Sequence, residues 1–301
     1  MNGGIGMKDD DVDYVRIASY IFIRDHFDIC GRAPSGVLYN KYMTLLNRKL
    51  ASQGHDMGLP HCWYRWGDEV VRYGMSYIGW NHDDPRFTEV SYCGAIPGEL
   101  ADGDPIVSFS EDFSKEFIGK YKGPEGAEMA IDEVYSDAPY TFQNDYRRLR
   151  EALRISLRSV GFSNFKDYIL SIFDSAMASF PEEFGFLGKQ KEEYEAVFRM
   201  AVECDSSRED LFELSECFWF FFCYHLRLDD RCHENVKRST LDVWWDMVPL
   251  EDSRYHQNIR TYAFLLRSDS YSDPVIDRML REREESLSNA ESILSRLSDV
   301  I

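Results

Sequence analysis

Apolar residues recur at three- and four-residue spacing along most of this chain, the period of helices with one face turned to a core. Val15, Ala18, Ile21 and Phe22 set that rhythm between Val12 and Phe27, behind the acidic start Asp9-Asp10-Asp11 and ahead of the breakers Gly31 and Pro34. Ser35 caps a second helix whose face is Leu38, Tyr42, Leu45, Leu46 and Leu50, ended by Gly54. The period then shortens. Met75 to Trp80 and Phe87 to Ala95 read as strands around a turn at Asn81-His82-Asp83-Asp84-Pro85, a small β-hairpin. Beyond a loose stretch from Pro97 to Pro105, short helices are predicted over Glu111 to Lys120 and Ala127 to Tyr135. A long one follows from Ala138 to Ser159, capped by Asp137 and closed by Gly161. A domain boundary is expected at that glycine.

The remainder reads as helical throughout. Phe165, Ile169, Ile172, Phe173 and Ala176 keep the period up to Pro181, and Glu192 to Val202 forms another helix. Ser207 with Asp210 makes a capping-box start for Leu211 to Leu228. That helix is apolar on nearly every side around Phe218-Trp219-Phe220-Phe221-Phe222, the pattern of a buried centre. Helices over Val236 to Trp245 and His256 to Leu266 are expected to pack on it. The last helix opens at Asp273-Pro274 and carries Leu280, Leu287, Leu294 and Ile301 at seven-residue spacing. Such a seam can pair two chains as a homodimer or pack on its own domain. The expected architecture is mainly α, with two helical domains. Residues 1–161 hold the small β-hairpin; residues 162–301 form an aromatic-rich bundle with a long C-terminal helix.

Composition narrows the function more than the fold. With 301 residues, 44% hydrophobic and 15% aromatic, the chain can fill the cores of two domains of about 150 residues each. Its longest apolar run, Cys217 to Tyr224, is far short of the roughly 20 residues a membrane span needs. The N-terminal residues lack the apolar core of a signal peptide. A soluble, cytoplasmic protein without membrane contact is expected. The formal net charge of −19 repels phosphate backbones, which makes nucleic acid an unfavoured partner. The Arg147-Arg148-Leu149-Arg150 cluster, with Arg154 and Arg158, falls near helical spacing and reads as a solvated face paired with acids. Seven cysteines without a CxxC pair argue against a disulfide framework.

Catalytic motifs are missing. His55, His61 and Cys62, and likewise Cys223, His225, Cys232 and His233, lack the paired spacing of zinc sites. His82-Asp83-Asp84 sits in a turn where acids are ordinary. There is no Gly-x-Ser-x-Gly elbow and no phosphate-binding glycine loop. No catalytic residue, metal or cofactor is therefore expected. The alternative is a metal-dependent hydrolase, a nuclease or phosphoesterase, whose carboxylates converge only in the fold. A winged-helix DNA binder is disfavoured by Asp83 and Asp84 at the tip of its would-be wing.

One stretch is unlike ordinary core or surface: Leu59 to Val71, with Trp63, Tyr64, Arg65, Trp66 and Gly67 at its centre. Three aromatics within four residues cannot share one face of a regular element. Arginine between them can stack or hydrogen-bond, and Gly67 allows a sharp turn, with Asp68-Glu69 able to start a helix. Aromatic residues with arginine are the stuff of binding hot spots; the alternative is a structural corner. Two apolar helices followed by Tyr64-Arg65-Trp66-Gly67, with Leu45-Leu46 in the preceding helix, resemble the SocA-like, or Panacea, antitoxin domain. The aromatics stand in exchanged order and Asp68 replaces the family's proline. The resemblance covers Val12 to about Gly161. It implies an adaptor without catalysis that holds a protein partner, a toxin or defence effector, through the N-terminal helical domain, whose candidate contact residues are the aromatic stretch 63–67.

Overall fold

A computed structural model describes residues 13–72, 75–82, 88–97, 104–158, 164–266 and 273–298, the side chains only as far as residue 286. The fold is mainly α, with small antiparallel strand pairs. The chain divides into two compact units: residues up to Asp137 together with Arg227–Asp242, and Ala138–Leu226 together with Val243 onward. The boundary expected at Gly161 thus lies inside the second unit's chain, and residues 159–163 are outside the described ones.

The first unit begins with α1 (Tyr14–Cys30) and α2 (Gly36–Ser52). Asp13 caps α1 through the Arg16 N–H, and left-handed Gly31 ends it, its N–H donating to the Phe27 carbonyl. Ser35 caps α2 through the Leu38 N–H. Four short strands follow: β1 (His61–Tyr64), β2 (Gly67–Val70), β3 (Ile78–Trp80) and β4 (Val90–Tyr92). The β3–β4 pair is the expected hairpin, in antiparallel register Ile78↔Tyr92 and Trp80↔Val90. Residues 83–87 of its turn lie outside the described ones. Then come α3 (Pro105–Tyr121) and α4 (Gly126–Tyr135). Helix α3 starts earlier than expected because Asp104 accepts from the Ile106 and Val107 N–H groups ahead of Pro105, which needs no donor at the first helical position.

An aromatic stack joins the three long helices of this unit. Phe22 lies flat on Tyr42 at 4.1 Å, and Phe117 meets Phe22 edge-on at 5.7 Å. Each such pair contributes roughly 0.5–1.5 kcal/mol beyond area burial. The Tyr42 hydroxyl keeps a partner by donating to the Ser110 carbonyl. The last piece of the unit is β5 (His233–Glu234), which pairs antiparallel with β1, so that a three-stranded sheet runs β2-β1-β5.

The second unit is built of α5 (Thr141–Ser156), α6 (Phe165–Ala178), a 3-10 turn (Glu182–Leu187), α7 (Gly188–Glu203) and α8 (Arg208–Leu226). Helix α9 (Arg238–Leu265) starts in the first unit's segment and continues in the second, and α10 is Pro274–Ser298. Two separate helices were expected where α9 is one, running on through Pro249. Trp219 of α8 is fully buried and stacks on Tyr146 of α5 at 5.4 Å. Phe218 stacks on Tyr194 of α7 at 4.3 Å, and Phe221 on Tyr255 of α9 at 4.1 Å. The Tyr146 hydroxyl donates to the Ser215 carbonyl and lies 2.7 Å from the Tyr194 hydroxyl, so the polar ends of these rings are satisfied inside the core. No described helix is long and apolar enough to cross a membrane.

Candidate functional site

The aromatic stretch is a β-hairpin. Strands β1 and β2 pair from His61↔Val70 to Tyr64↔Gly67, leaving Arg65-Trp66 as a two-residue tip. Neither tip residue has positive φ; Gly67 does, at 92°, which lets a right-handed turn rejoin the twisted strands. A Cβ on Gly67 would also stand 2.8 Å from the Tyr135 ring, so glycine is required twice over. Asp68-Glu69, read in the sequence as a helix start, lie in β2 instead. Asp68 stands opposite Trp63 and Glu69 opposite Cys62 in the ladder with β1, an extended backbone that no helix start can share.

The five residues of the expected partner surface separate into two sets. Trp63 is buried, edge-on to Tyr135 at 5.5 Å and beneath the Arg48 guanidinium at 5.7 Å. Gly67 is buried beside it. Tyr64, Arg65 and Trp66 are half-buried at the tip. Guanidinium groups of Arg65 and Arg227 lie 5.2 and 4.8 Å from the Tyr64 ring. The Trp66 N–H donates to Glu69.

Under the hairpin sits a charged cluster that sequence reasoning missed. Asp68 is 1% exposed, and its carboxylate takes Arg48 at 2.9 Å and His61 at 2.7 Å. Fully buried Lys41 donates to the Asp68 carbonyl at 2.8 Å. Arg48 also reaches Asp137 and the Val134 carbonyl, tying α2 to the end of α4. The other ring nitrogen of His61 is 3.3 Å from Glu234 on β5. Burial acts to raise the Asp68 pKa, yet the hydrogen bond and charge of His61, then Arg48 and Lys41, hold it below the ordinary value. Burial acts to lower His61, but Asp68 and then Glu234 raise it above its ordinary 6.5. Both ring nitrogens of His61 thus face a carboxylate, Asp68 on one side and Glu234 on the other. The arrangement locks β5 and α2 onto the hairpin. The only sequence signal for it is Lys41 and Arg48 two helical turns apart on the buried side of α2.

Compared with known proteins, the chain matches no family model, no curated protein and no solved structure.

Among the described residues, no three His, Cys, Asp or Glu side chains converge as a metal-binding set. Asp83 and Asp84 lie outside those residues. All seven cysteines are free thiols. In the arginine cluster, Arg148 pairs with Asp145, Arg150 with Glu216 and Arg154 with Glu151. Of the expected dimer seam, Leu280 is half-buried. Leu287 and Leu294 belong to α10 with side chains outside the described ones, as is Ile301. The start of α10 packs within its own unit: Ile276 and Met279 are buried, and Arg278 pairs with Glu192.

The His61 shift gives a pH test. A raised folded-state value means stability that is fully present below about 6.5 and lost as pH rises through the folded value. Urea unfolding of wild type and His61→Asn across neutral to mildly alkaline pH is expected to show their difference shrinking as pH rises. A pH-independent difference would mean the ring is neutral throughout.

Proposed function

We propose that this protein is a non-catalytic, antitoxin-like binding module that holds a protein partner, a toxin or effector, in a toxin–antitoxin or phage-defence setting in the cytoplasm. The observation that carries the reading is the hairpin tip: Tyr64, Arg65 and Trp66, half-buried, on a mount fixed by Trp63, Gly67 and the Asp68 cluster. Aromatic rings with arginine on a pre-organised support lose little side-chain entropy on docking and bury large area. The resemblance of residues 64–67 to the antitoxin turn agrees with this. Trp63 and Gly67 contribute by shaping the mount, and α10 stays a candidate for pairing two copies.

The test compares wild type with Arg65→Ala/Trp66→Ala in pull-downs from the native host and in rescue of growth from the captured toxin. Circular dichroism checks that the variant stays folded. Loss of both partner and rescue in a folded variant is expected. A partner held equally by the variant would make the tip a structural corner. Turnover of a phosphodiester by the purified chain with Mg2+ or Mn2+, abolished by changing one pocket carboxylate, would replace the reading with the hydrolase.

A further inference from the structure

The second unit carries a surface that the hairpin reading leaves unused. On α9, Val243, Met247 and Leu250 are 60%, 38% and 50% exposed. Their spacing of four and three residues sets them on one face of the helix. Single exposed apolar residues are ordinary, but a row of large ones marks a docking site. The same spacing continues through Arg254, Asn258, Thr261 and Leu265, the last three of which line a cavity of about 560 Å3. Across that cavity stand Asp210, Glu213 and Glu216 of α8. One face of α9 therefore runs from an apolar ridge into an acid-lined hollow, over roughly 33 Å at about 1.5 Å per residue.

The carboxylates are held in place by their neighbours. Ser207 donates to Asp210 at 2.7 Å, and Tyr262 donates to Glu213 at 3.2 Å. Arg150 grips Glu216 through two contacts. One guanidinium against three carboxylates leaves the hollow negative. Arg254, the cation on the row, is matched by Glu251 at 3.1 Å.

We infer that this face of the second unit docks an amphipathic basic helix from a partner protein, with apolar side chains on the ridge and a lysine or arginine in the hollow. The ridge has the three- and four-residue anchor pattern by which helices pack side by side. A long basic side chain suits the hollow, its alkyl stem against Phe220 and Leu265 and its charged head at the carboxylates. Charge argues against a second copy as occupant, since a chain of net −19 would bring acid to acid. The proposal does not depend on the hairpin tip.

The probe is a labelled synthetic helix of about 18 residues, leucine on one face and lysine on the other. Comparators are the same pattern with glutamate for lysine, and oligolysine without leucine. Fluorescence anisotropy with the full chain is expected to show the leucine–lysine peptide binding well above both comparators. Leu250→Ser and Glu213→Gln, both at exposed positions and checked by circular dichroism, should each weaken it about tenfold. Glu213→Gln should also flatten the salt dependence. Equal binding of oligolysine, or unchanged affinity in both variants, would reduce the effect to general attraction of polycations and overturn the proposal. A dimer in sedimentation velocity that Leu250→Ser dissolves would assign the ridge to a second copy, and would overturn it too.

Discussion

Asp68→Ala is expected to lower the first unit's unfolding free energy by about 3–5 kcal/mol, the cost of removing one partner from a buried ionic group. The carboxylate is shielded from water and faces Arg48 and His61, while Lys41 is buried against the same residue's carbonyl. Removing it leaves positive charge in the interior with its nearest counter-charge gone. Arg48, 23% exposed, can swing outward, which places the effect at the lower end of that range. Asp68→Asn, which keeps the shape and one acceptor, should cost less. Urea unfolding followed by near-ultraviolet circular dichroism measures both. A loss under about 1 kcal/mol would mean water replaces the carboxylate, as at surface pairs.

Trp219→Ala is expected to destabilise the second unit by about 3–5 kcal/mol, the range for truncating a large buried aromatic. The indole is fully buried, stacked on Tyr146, and lies 5.2 Å from the Arg150 guanidinium. Its loss opens a cavity at the centre of α8 and strips one wall from the Tyr146 ring. Trp245, 53% exposed on α9, provides the contrast: Trp245→Ala should stay within about 0.5 kcal/mol. Equal effects at the two sites in thermal or urea unfolding would contradict the burial described for α8.

What the sequence discloses here is local, and what it hides is long-range. Gly31 and Ser35 mark helix ends because caps act within a few residues, and the Phe218–Phe222 run betrays a buried helix by composition alone. The β3–β4 hairpin is readable from its β-prone flanks. The β1–β2 hairpin is not, since four-residue strands offer little alternation and Asp68-Glu69 imitate a helix start. The sequence shows helices over Val236 to Trp245 and His256 to Leu266, but not that α9 joins them through Pro249. The expected partner surface was visible as a composition anomaly, but not its division into interior Trp63 and Gly67 and displayed Tyr64, Arg65 and Trp66. Nothing local announces that Lys41, Arg48, His61, Asp68 and Glu234 share one cluster, because only tertiary pairing brings them together.

The position of β5 has a consequence for how the chain is made. The sheet β2-β1-β5 is complete only when Glu234 has left the ribosome, long after Asp137. At synthesis rates of about 5–20 residues per second, roughly a hundred further residues take about 5–20 s. Through that interval the nascent first unit holds β1 with an unpaired outer edge, the kind of edge that invites aggregation. His61 meanwhile lacks Glu234, the carboxylate that β5 brings. A fragment ending near residue 161 would keep that edge for good, so translation has to pass most of the second unit before the first can close.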